Sequence, residues 1–428
     1  MLDSVDLERG ISAGSLGTRT ERKSSLASEV GPVTRCLRVF KAQSIVTCSL
    51  LFSLFVLMSL VAVVYVQQTG RGPLKSSFGC DLHMAPPHSS NRTVNLSYCE
   101  VHRPETQINK DIHDKIITSA FQASIRFLVV GDFGRDGFCC QRDVAWEMAR
   151  AAGTIQPHFI ANGGDSFYDF GLLSEMEEQV DTSWRDVYMK HESLKSLPWY
   201  SVLGNHEYRG SASAVLSVPQ RYPQFVMPDR FYDHEFVSDD RKFRLHMFYL
   251  DTSPMIQAYH VSGYDDRADS MLNQPDGIRS QWNRVEEQIA WLEQGLNSST
   301  ADIKVVMGHH PVYTSGAHYG EDERFLRKRI APILEKNGVL LYISGHDHNL
   351  QEYWKLYSPT HYIVSAGGSK VEGAFTQGDV YLRYFDQVNG FCAVEASAQG
   401  LRIVFVDYVG NVIRTINIAK QQPGPPPS

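Results

Sequence analysis

Five short clusters of polar residues carry side chains that can bind metal ions. Each cluster follows an apolar run and begins with glycine: GDFG from Gly131, GGDSFY from Gly163, GNHE from Gly204, GHHP from Gly308 and GHDH from Gly345. Their carboxylate, amide, imidazole and phenol groups are ligand types of hard and borderline metals. A glycine at this place permits a tight turn and a close backbone approach. One such cluster is a weak signal, because turn glycines and capping aspartates are common, but five in succession predict a metal site.

The number of candidate ligands indicates two metal ions rather than one. The ligand-type side chains of the clusters are Asp132, Asp165, Tyr168, Asn205, His309, His346 and His348. A catalytic zinc ion usually takes three protein ligands, so one ion would leave several of them unused. Two ions that share Asp165 would use them all, and paired ions about 3.5–4 Å apart are common in phosphoester hydrolysis. The residues alone leave Tyr168 open, because most tyrosines fill space in a core.

The apolar runs before the clusters are predicted to be strands that deliver these side chains to one edge of a sheet. IRFLVV, HFIAN, LPWYSVL, IKVVM and VLLYIS are predicted to end at Asp132, Asp165, Asn205, His309 and His346, respectively. FRLHMFYLD, HYIVSAGG and the alternating LRIVFVDYVGNVIRTINI predict further strands, the later ones partly antiparallel. In open α/β sheets, ligand sites form beyond the carboxyl ends of the strands.

Helical segments alternate with these strands. DVAWEMARAAG, QWNRVEEQIAWLEQGL and FLRKRIAPILEKNG have apolar residues at helical spacing, and Gly338 is predicted to stop the last of them. Alternation of strands and helices predicts the α/β class.

In their order and surroundings, the five clusters resemble those of the purple acid phosphatases, a branch of the calcineurin-like metallophosphoesterases. LPWYSVLGNHEYRG, YISGHDHNLQ and PDRFYDHEF are most similar to the small tartrate-resistant acid phosphatases. The resemblance implies an α/β metallophosphoesterase fold, with a β-sandwich flanked by helices, over residues 122–420. It also implies an acid phosphatase.

The resemblance assigns a role to Tyr168. Ordinary members of the superfamily have D-x-H in the first cluster, whereas this chain has Gly134 in place of the histidine. Tyr168 is then expected to supply the missing ligand as a phenolate, which favours Fe(III). The implied iron ligands are Asp132, Tyr168 and His348. The implied ligands of a divalent ion (Fe, Zn or Mn) are Asn205, His309 and His346, with Asp165 bridging the two ions.

Two more histidines are expected to face the substrate phosphate. By resemblance they are His206 and His318, and a protonated form of either would assist the leaving alcohol. The implied mechanism is attack on phosphorus by a metal-bound hydroxide, with an acidic pH optimum. His310 receives no role, and Asp347 is expected to be a solvent or turn residue.

The run Ser44–Val66 is predicted to be a transmembrane signal anchor. It contains 23 residues without a charge, enough to cross a hydrocarbon core of about 30 Å. The alternatives are a cleaved signal peptide, whose apolar core is usually shorter, and a buried helix. Residues 1–43 read as a disordered cytoplasmic tail, 67–121 as an extracytoplasmic stalk and 421–428 as a second disordered tail.

Sequons after the apolar run favour a single-pass type II topology. They begin at Asn91, Asn95 and Asn297, and all three are expected to carry glycans outside the cytoplasm. Basic residues flank the run on both sides, with only a small excess on the N-terminal side. The topology suits both the plasma membrane, with the catalytic domain outside, and the endolysosomal membrane, with that domain in the lumen.

Composition limits the partners. With 41 basic and 48 acidic residues the net charge is −7, so the composition lacks the excess of positive charge that is typical of nucleic-acid-binding proteins. The expected partners are small phosphate esters and the membrane, and the sequence predicts no oligomeric state. The vicinal pair Cys139 and Cys140 is open to interpretation as a disulfide, two thiols or an attachment point for a partner. GGSKVEGAFTQGD, from Gly367, is expected to lie near the site.

Two other functions remain open at this level. One is a phosphodiesterase or nucleotide hydrolase on the same site, which differs only in the shape of the pocket. The other is a non-catalytic membrane anchor or receptor that keeps the fold, although the presence of all seven ligands and both outer histidines weighs against it.

Overall fold

A computed structural model describes residues 113–115, 123–260, 276–320, 323–371 and 375–420. Within these ranges no helix is long and apolar enough to cross a membrane. The predicted anchor, tails, most of the stalk, and the sequons at Asn91 and Asn95 lie outside the described residues.

Two seven-stranded sheets form the described part of the chain. The first has the order β14-β13-β12-β1-β2-β3-β4, and the second β11-β9-β10-β8-β7-β6-β5. The strands are β1 Ser124–Val130, β2 Phe159–Asn162, β3 Trp199–Ser201, β4 Phe225–Val226, β5 Tyr232–Val237, β6 Arg244–Leu250, β7 Ile303–Gly308, β8 Leu341–Ser344, β9 Leu350–Trp354, β10 His361–Ser365, β11 Leu382–Asp386, β12 Gly390–Ser397, β13 Gly400–Asp407 and β14 Val412–Ala419.

Helices connect and cover these strands. They are α1 Gln141–Ile155, α2 Glu178–Val180 with its π-helical continuation Asp181–Met189, α3 Ala212–Arg221, α4 Ile278–Gln281, α5 Val285–Ser298, α6 Glu323–Arg329 and α7 Ala331–Lys336. Single 3₁₀ turns occupy Glu207–Arg209, Ser253–Met255, Gln257–His260 and Trp282–Arg284.

Both sheets combine parallel and antiparallel pairs, and the antiparallel strands lie on one side of the first sheet and on both sides of the second. β1 to β4 run parallel in the first sheet, as do β6, β7, β8 and β10 in the second. Alternate side chains of β1 belong to two different hydrophobic cores. Phe127 and Val129 pack between the sheets with Met247, whereas Leu128 and Val130 pack toward the helices. Strands buried on both faces therefore read as continuous apolar runs in the sequence. This α/β sandwich flanked by helices is the predicted fold class.

The observed boundaries differ from the predicted ones, and all five strands before the clusters end one to four residues earlier than predicted. β3 ends at Ser201, so an irregular segment rather than the strand itself carries Asn205. The helix predicted for FLRKRIAPILEKNG is interrupted at Ile330, giving α6 and α7. Pro332 explains the break, because it has no N–H to donate to the preceding turn.

A buried polar network ties the third cluster to β6. The Tyr208 hydroxyl donates to Asp251, which follows β6, and Arg230 donates to the Tyr208 oxygen at 2.7 Å. Arg230 and Asp251 are both almost fully buried, and burial raises the pKa of the Asp251 carboxyl to about 6. This network fixes the 3₁₀ turn immediately after Asn205 and His206.

Candidate metal centre

The five clusters meet at one end of the sandwich. They follow the carboxyl ends of β1, β2 and β3 in the first sheet and of β7 and β8 in the second. Four of the candidate ligands, Asp132, Asp165, His346 and His348, have positive φ angles of 62°, 51°, 74° and 48°. Non-glycine residues rarely adopt this conformation, and those that do are concentrated at functional sites. The backbone therefore turns sharply at these ligands and directs them into one buried space.

The first group of candidate ligands surrounds the hydroxyl oxygen of Tyr168. Tyr168 Oη lies 3.1 Å from Asp132 Oδ1, 3.0 Å from Asp165 Oδ2 and 2.9 Å from His348 Nε2. All four side chains are buried. Burial and the two carboxylates raise the pKa of the Tyr168 hydroxyl well above its ordinary value.

The second group surrounds one nitrogen of His309. His309 Nε2 lies 3.1 Å from Asn205 Oδ1, 3.2 Å from His346 Nδ1 and 3.4 Å from Asp165 Oδ2. Asp165 Oδ2 is thus adjacent to both groups. Burial lowers the pKa of the His309 imidazole, but the Asp165 carboxylate outweighs it and raises that pKa to about 10.

These spacings fit a pair of metal ions. With metal–ligand bonds of about 2.0–2.3 Å, neighbouring ligand atoms around one ion lie roughly 2.8–3.5 Å apart. Two sets, His309–His310–His346 and Asp132–Asp165–His348, offer ligand atoms within 4.8 Å of one another. The donor chemistry also fits, with anionic oxygens concentrated in the Tyr168 group and imidazoles in the other.

Gly134 leaves no room for a ligand side chain at its position. A Cβ atom there would lie 1.7 Å from the backbone oxygen of Ser166. The first and second clusters are also joined by a hydrogen bond from Tyr168 N to Gly134 O, at 2.9 Å. A histidine at position 134 is therefore excluded, and Tyr168 occupies the space beside Asp132.

Glu207 fastens the second cluster to the third, and sequence reasoning missed it. Its fully buried carboxylate accepts hydrogen bonds from the backbone N–H groups of Gly204, Ser166 and Asp165, at 2.6, 2.7 and 3.0 Å. Burial, followed by the Asp165 charge, raises the pKa of Glu207 to about 7. The signal was available, since Glu207 is the last residue of GNHE, but two of its three partners are backbone groups 41 and 42 residues away.

Backbone contacts orient the ligands themselves. His309 Nδ1 donates to Gly163 O at 2.7 Å, which directs Nε2 toward Asn205 and Asp165. The backbone N–H of His346 donates to Asp132 Oδ1 and Oδ2 at 3.0 and 2.9 Å. Such outer contacts fix the tautomer and ring direction of ligating histidines.

The two predicted outer histidines flank the groups on different sides. The His206 ring lies 4.2 Å from the Tyr168 ring, and His206 Nδ1 donates to Asp169 O at 2.7 Å. Burial lowers the pKa of His206 to about 4. The His318 ring is only partly buried and lies 4.0 Å from the His346 ring. Both residues therefore border the candidate centre.

Asp347, predicted to be a solvent or turn residue, lies in the bend between β8 and β9 but is not exposed to solvent. It is 1% exposed, and its carboxylate accepts from Thr314 Oγ1, from Gln351 Nε2 at 2.7 Å and from the His318 N–H at 3.2 Å. It thereby holds the segment that carries His318. The sequence could not show this, because Asp347 alternates with two ligands and shares their pattern.

His310, which received no role, is buried next to the second group. Its ring nitrogens lie 2.9 Å from Thr252 Oγ1 and 2.9 Å from Tyr259 Oη, and its ring is 4.4 Å from that of His346. Because both nitrogens already have hydroxyl partners, His310 supports the His346 ring in this arrangement.

Three further features of the sequence prediction fall on described residues. Ser369, in the segment that begins at Gly367, donates to Asp132 O, so this segment lies beside the site as predicted. Cys139 and Cys140 are partly buried thiols, both with positive φ. Asn297 is exposed near the end of α5, where a glycan would be accessible to solvent.

Comparisons with known proteins agree with this geometry. The family model of the calcineurin-like phosphoesterases matches residues 125–350. Purple acid phosphatase 4 of Arabidopsis thaliana is 34% identical over 302 residues, which cover 69% of this chain and 84% of that protein. Tartrate-resistant acid phosphatase type 5 of Mus musculus is 28% identical over 300 residues, which cover 67% of this chain and 88% of that protein.

Two solved structures share the fold. One is GAP50, described as the anchor in the inner membrane complex of Plasmodium, with a TM-score of 0.58 and 24% identity over 70% of this chain and 90% of that one. The other is the purple acid phosphatase PPD1 from yellow lupin, with a TM-score of 0.51 and 17% identity over 70% of this chain and 54% of that one.

Proposed function

The chain belongs to the purple acid phosphatases within the calcineurin-like phosphoesterase family, and from this premise we propose that it is a membrane-anchored acid phosphatase that hydrolyses phosphomonoesters. The family implies a binuclear metal centre and a phosphatase activity. The anchor, the acidic optimum, the preference for monoesters and the Fe(III)–divalent pair are our proposals.

One observation supports the binuclear site most strongly. Asp165 Oδ2 lies 3.0 Å from Tyr168 Oη and 3.4 Å from His309 Nε2, so a single carboxylate oxygen joins the two groups of candidate ligands. We assign Asp132, Tyr168 and His348 to Fe(III), and Asn205, His309 and His346 to a divalent ion. A bound metal pair would lower the pKa of water and neutralise charge on the phosphoryl oxygens.

Two histidines, His206 and His318, are proposed to take different roles toward the substrate. His206 Nδ1 carries a proton toward Asp169 O, so neutral His206 offers Nε2 as an acceptor that orients an incoming water or a protonated phosphoryl oxygen. Burial lowers the pKa of His206, which favours this neutral form. His318, which is more exposed and held by Asp347, is the better placed group to give a proton to the departing alkoxide.

The proposed role of His318 predicts a dependence on the leaving group. We expect His318→Asn to lower kcat for alkyl phosphates by about 10²- to 10³-fold, and for 4-nitrophenyl phosphate much less, because a good leaving group needs little protonation. The measurement is kcat for both substrates in wild type and variant. Equal losses for both would assign His318 to phosphate binding or to structure instead.

A substrate panel tests the proposed activity directly. The full chain, purified in detergent, should release phosphate from 4-nitrophenyl phosphate fastest below neutral pH and should cleave bis(4-nitrophenyl) phosphate poorly. Faster cleavage of the diester would support the phosphodiesterase alternative. A folded chain that cleaves neither would support the anchor alternative.

The membrane proposal rests on the apolar run Ser44–Val66 and on the sequons beyond it. We place the phosphatase domain on the extracytoplasmic side of the plasma membrane or in the endolysosomal lumen. Full-length protein from mammalian cells should stay with membranes in carbonate, and glycosidase should reduce its mass. A carbonate-extractable chain without glycans would contradict the type II topology.

A further inference from the structure

Arg135 lies directly over the aromatic ring of Tyr168. The guanidinium carbon is 3.8 Å from the ring centroid, well within the distance of about 6 Å that defines a cation–π contact. The side chain is 17% exposed and its Nη1 donates to Asp169 Oδ1 at 3.3 Å. A positive charge thus rests on the ring of the proposed phenolate ligand.

The ring of Tyr168 lies against the part of the Arg135 guanidinium, around Nε, that makes no hydrogen bond to the described residues. Arg135 Nε is buried and makes no hydrogen bond to any described residue. A buried polar group without a partner is costly and needs an explanation. The π face of Tyr168 supplies one, because its negative quadrupole attracts the cation that hydrogen bonding leaves unsatisfied.

The surrounding structure holds Arg135 in this place. Its backbone N–H donates to Gln141 Oε1 at 3.1 Å, and Gln141 Nε2 donates to Ser183 O at 2.5 Å. Gln179 Nε2 donates to the Tyr168 carbonyl, which fixes the ring from its own backbone. Arginine and ring are therefore positioned by separate contacts rather than by each other alone.

We propose that Arg135 is a positioning residue that weakens Tyr168 as an electron donor to iron. The inference rests on the proposed Fe(III)–phenolate site. A cation over the ring stabilises the electrons of the phenolate, so less charge reaches the metal. Fe(II) then becomes more favourable relative to Fe(III), and the phenolate-to-iron charge-transfer band lies at shorter wavelength than it would without the arginine.

The test compares spectra and reduction potentials of the full chain in detergent. In Arg135→Gln we expect the band to move to longer wavelength and the ratio of Fe(III) to Fe(II) at a fixed potential to rise about tenfold, which is about 59 mV for a one-electron couple. Arg135→Lys should restore part of both shifts. Arg142→Gln, which removes an equal charge from the first turn of α1, should change neither.

Three results would overturn the inference. An unchanged band and potential in Arg135→Gln would refute it while leaving the phosphatase proposal intact. An equal shift in Arg142→Gln would show a general charge effect. A wild-type chain that binds two metals but has no band would remove the iron–phenolate assignment and this inference together. If Arg135→Gln does not fold, Arg135→Met carries the same prediction.

Discussion

Asp165→Asn is expected to abolish phosphatase activity, with kcat/KM lower by about 10⁴-fold or more, or about 5.5 kcal/mol of transition-state stabilisation. The reason is its position, since Asp165 Oδ2 borders both ligand groups. Asparagine keeps the size of the side chain but removes the charge that a shared oxygen needs. The measurements are kcat/KM and metal content per folded chain, and both sites should lose metal.

Asp239→Asn is the matched control for this change. Asp239 is also a carboxylate but is 61% exposed and pairs only loosely with His158, at 3.9 Å. The control should keep wild-type metal content and activity. A fully active, metal-bearing Asp165→Asn would refute the bridging role. A cellular role that survives in an inactive Asp165→Asn would favour the anchor alternative.

Glu207→Leu is expected to destabilise the fold by about 3–9 kcal/mol, because three buried N–H groups would each lose an acceptor worth about 1–3 kcal/mol. Those N–H groups belong to Gly204, Asp165 and Ser166. Thermal unfolding of the full chain measures the effect, and residual activity should fall with it, because Asp165 is one of the groups released. Glu207→Gln, which retains one acceptor oxygen, should be intermediate.

Glu287→Gln controls for removal of a carboxylate. Its side chain is 59% exposed and pairs with Arg284 on the surface, where such pairs contribute little. We expect its unfolding temperature to equal that of the wild type. If Glu207→Leu unfolds at the same temperature as Glu287→Gln and keeps its activity, the three hydrogen bonds that Glu207 accepts have no structural importance.

The position of the site was predictable from the sequence, because its residues follow a local rule. Each ligand cluster comes shortly after a buried parallel strand, and ligand sites form beyond the carboxyl ends of such strands. The strands belong to two sheets, so the clusters meet at one end of the sandwich rather than along a single sheet. The structure brings Asp132, Tyr168 and His348 together with Asp165, and places His309 beside Asn205 and His346. Their separation into two groups was implied by the family resemblance rather than by spacing.

The supporting residues were not predictable, because their partners are distant or are backbone groups. Glu207 binds N–H groups of another cluster, Arg135 covers a ring 33 positions later, and Asp347 holds the loop of His318. None of these contacts produces a periodic pattern. Five strands, β4, β5, β9, β11 and β12, were also not predicted. Of these, β5 and β11 are edge strands whose partly exposed residues lack a clear apolar run.

The similarity to GAP50 shows a shared fold and does not by itself support the anchor alternative. That protein is described as an anchor, and at 24% identity the likeness extends to the architecture. What separates a phosphatase from an anchor in this chain is the set of ligands, and here every predicted ligand lies in one of the two groups. The metal centre itself is therefore the property to measure.

The visible absorption spectrum of the purified full chain tests the central claim most directly. We predict a broad purple-to-pink band in the wild type that is absent from Tyr168→Phe, because the band requires the phenolate as well as Fe(III). A colourless wild type that holds two zinc or manganese ions would contradict the iron–phenolate centre. A folded wild type that holds no metal would contradict the binuclear phosphatase itself.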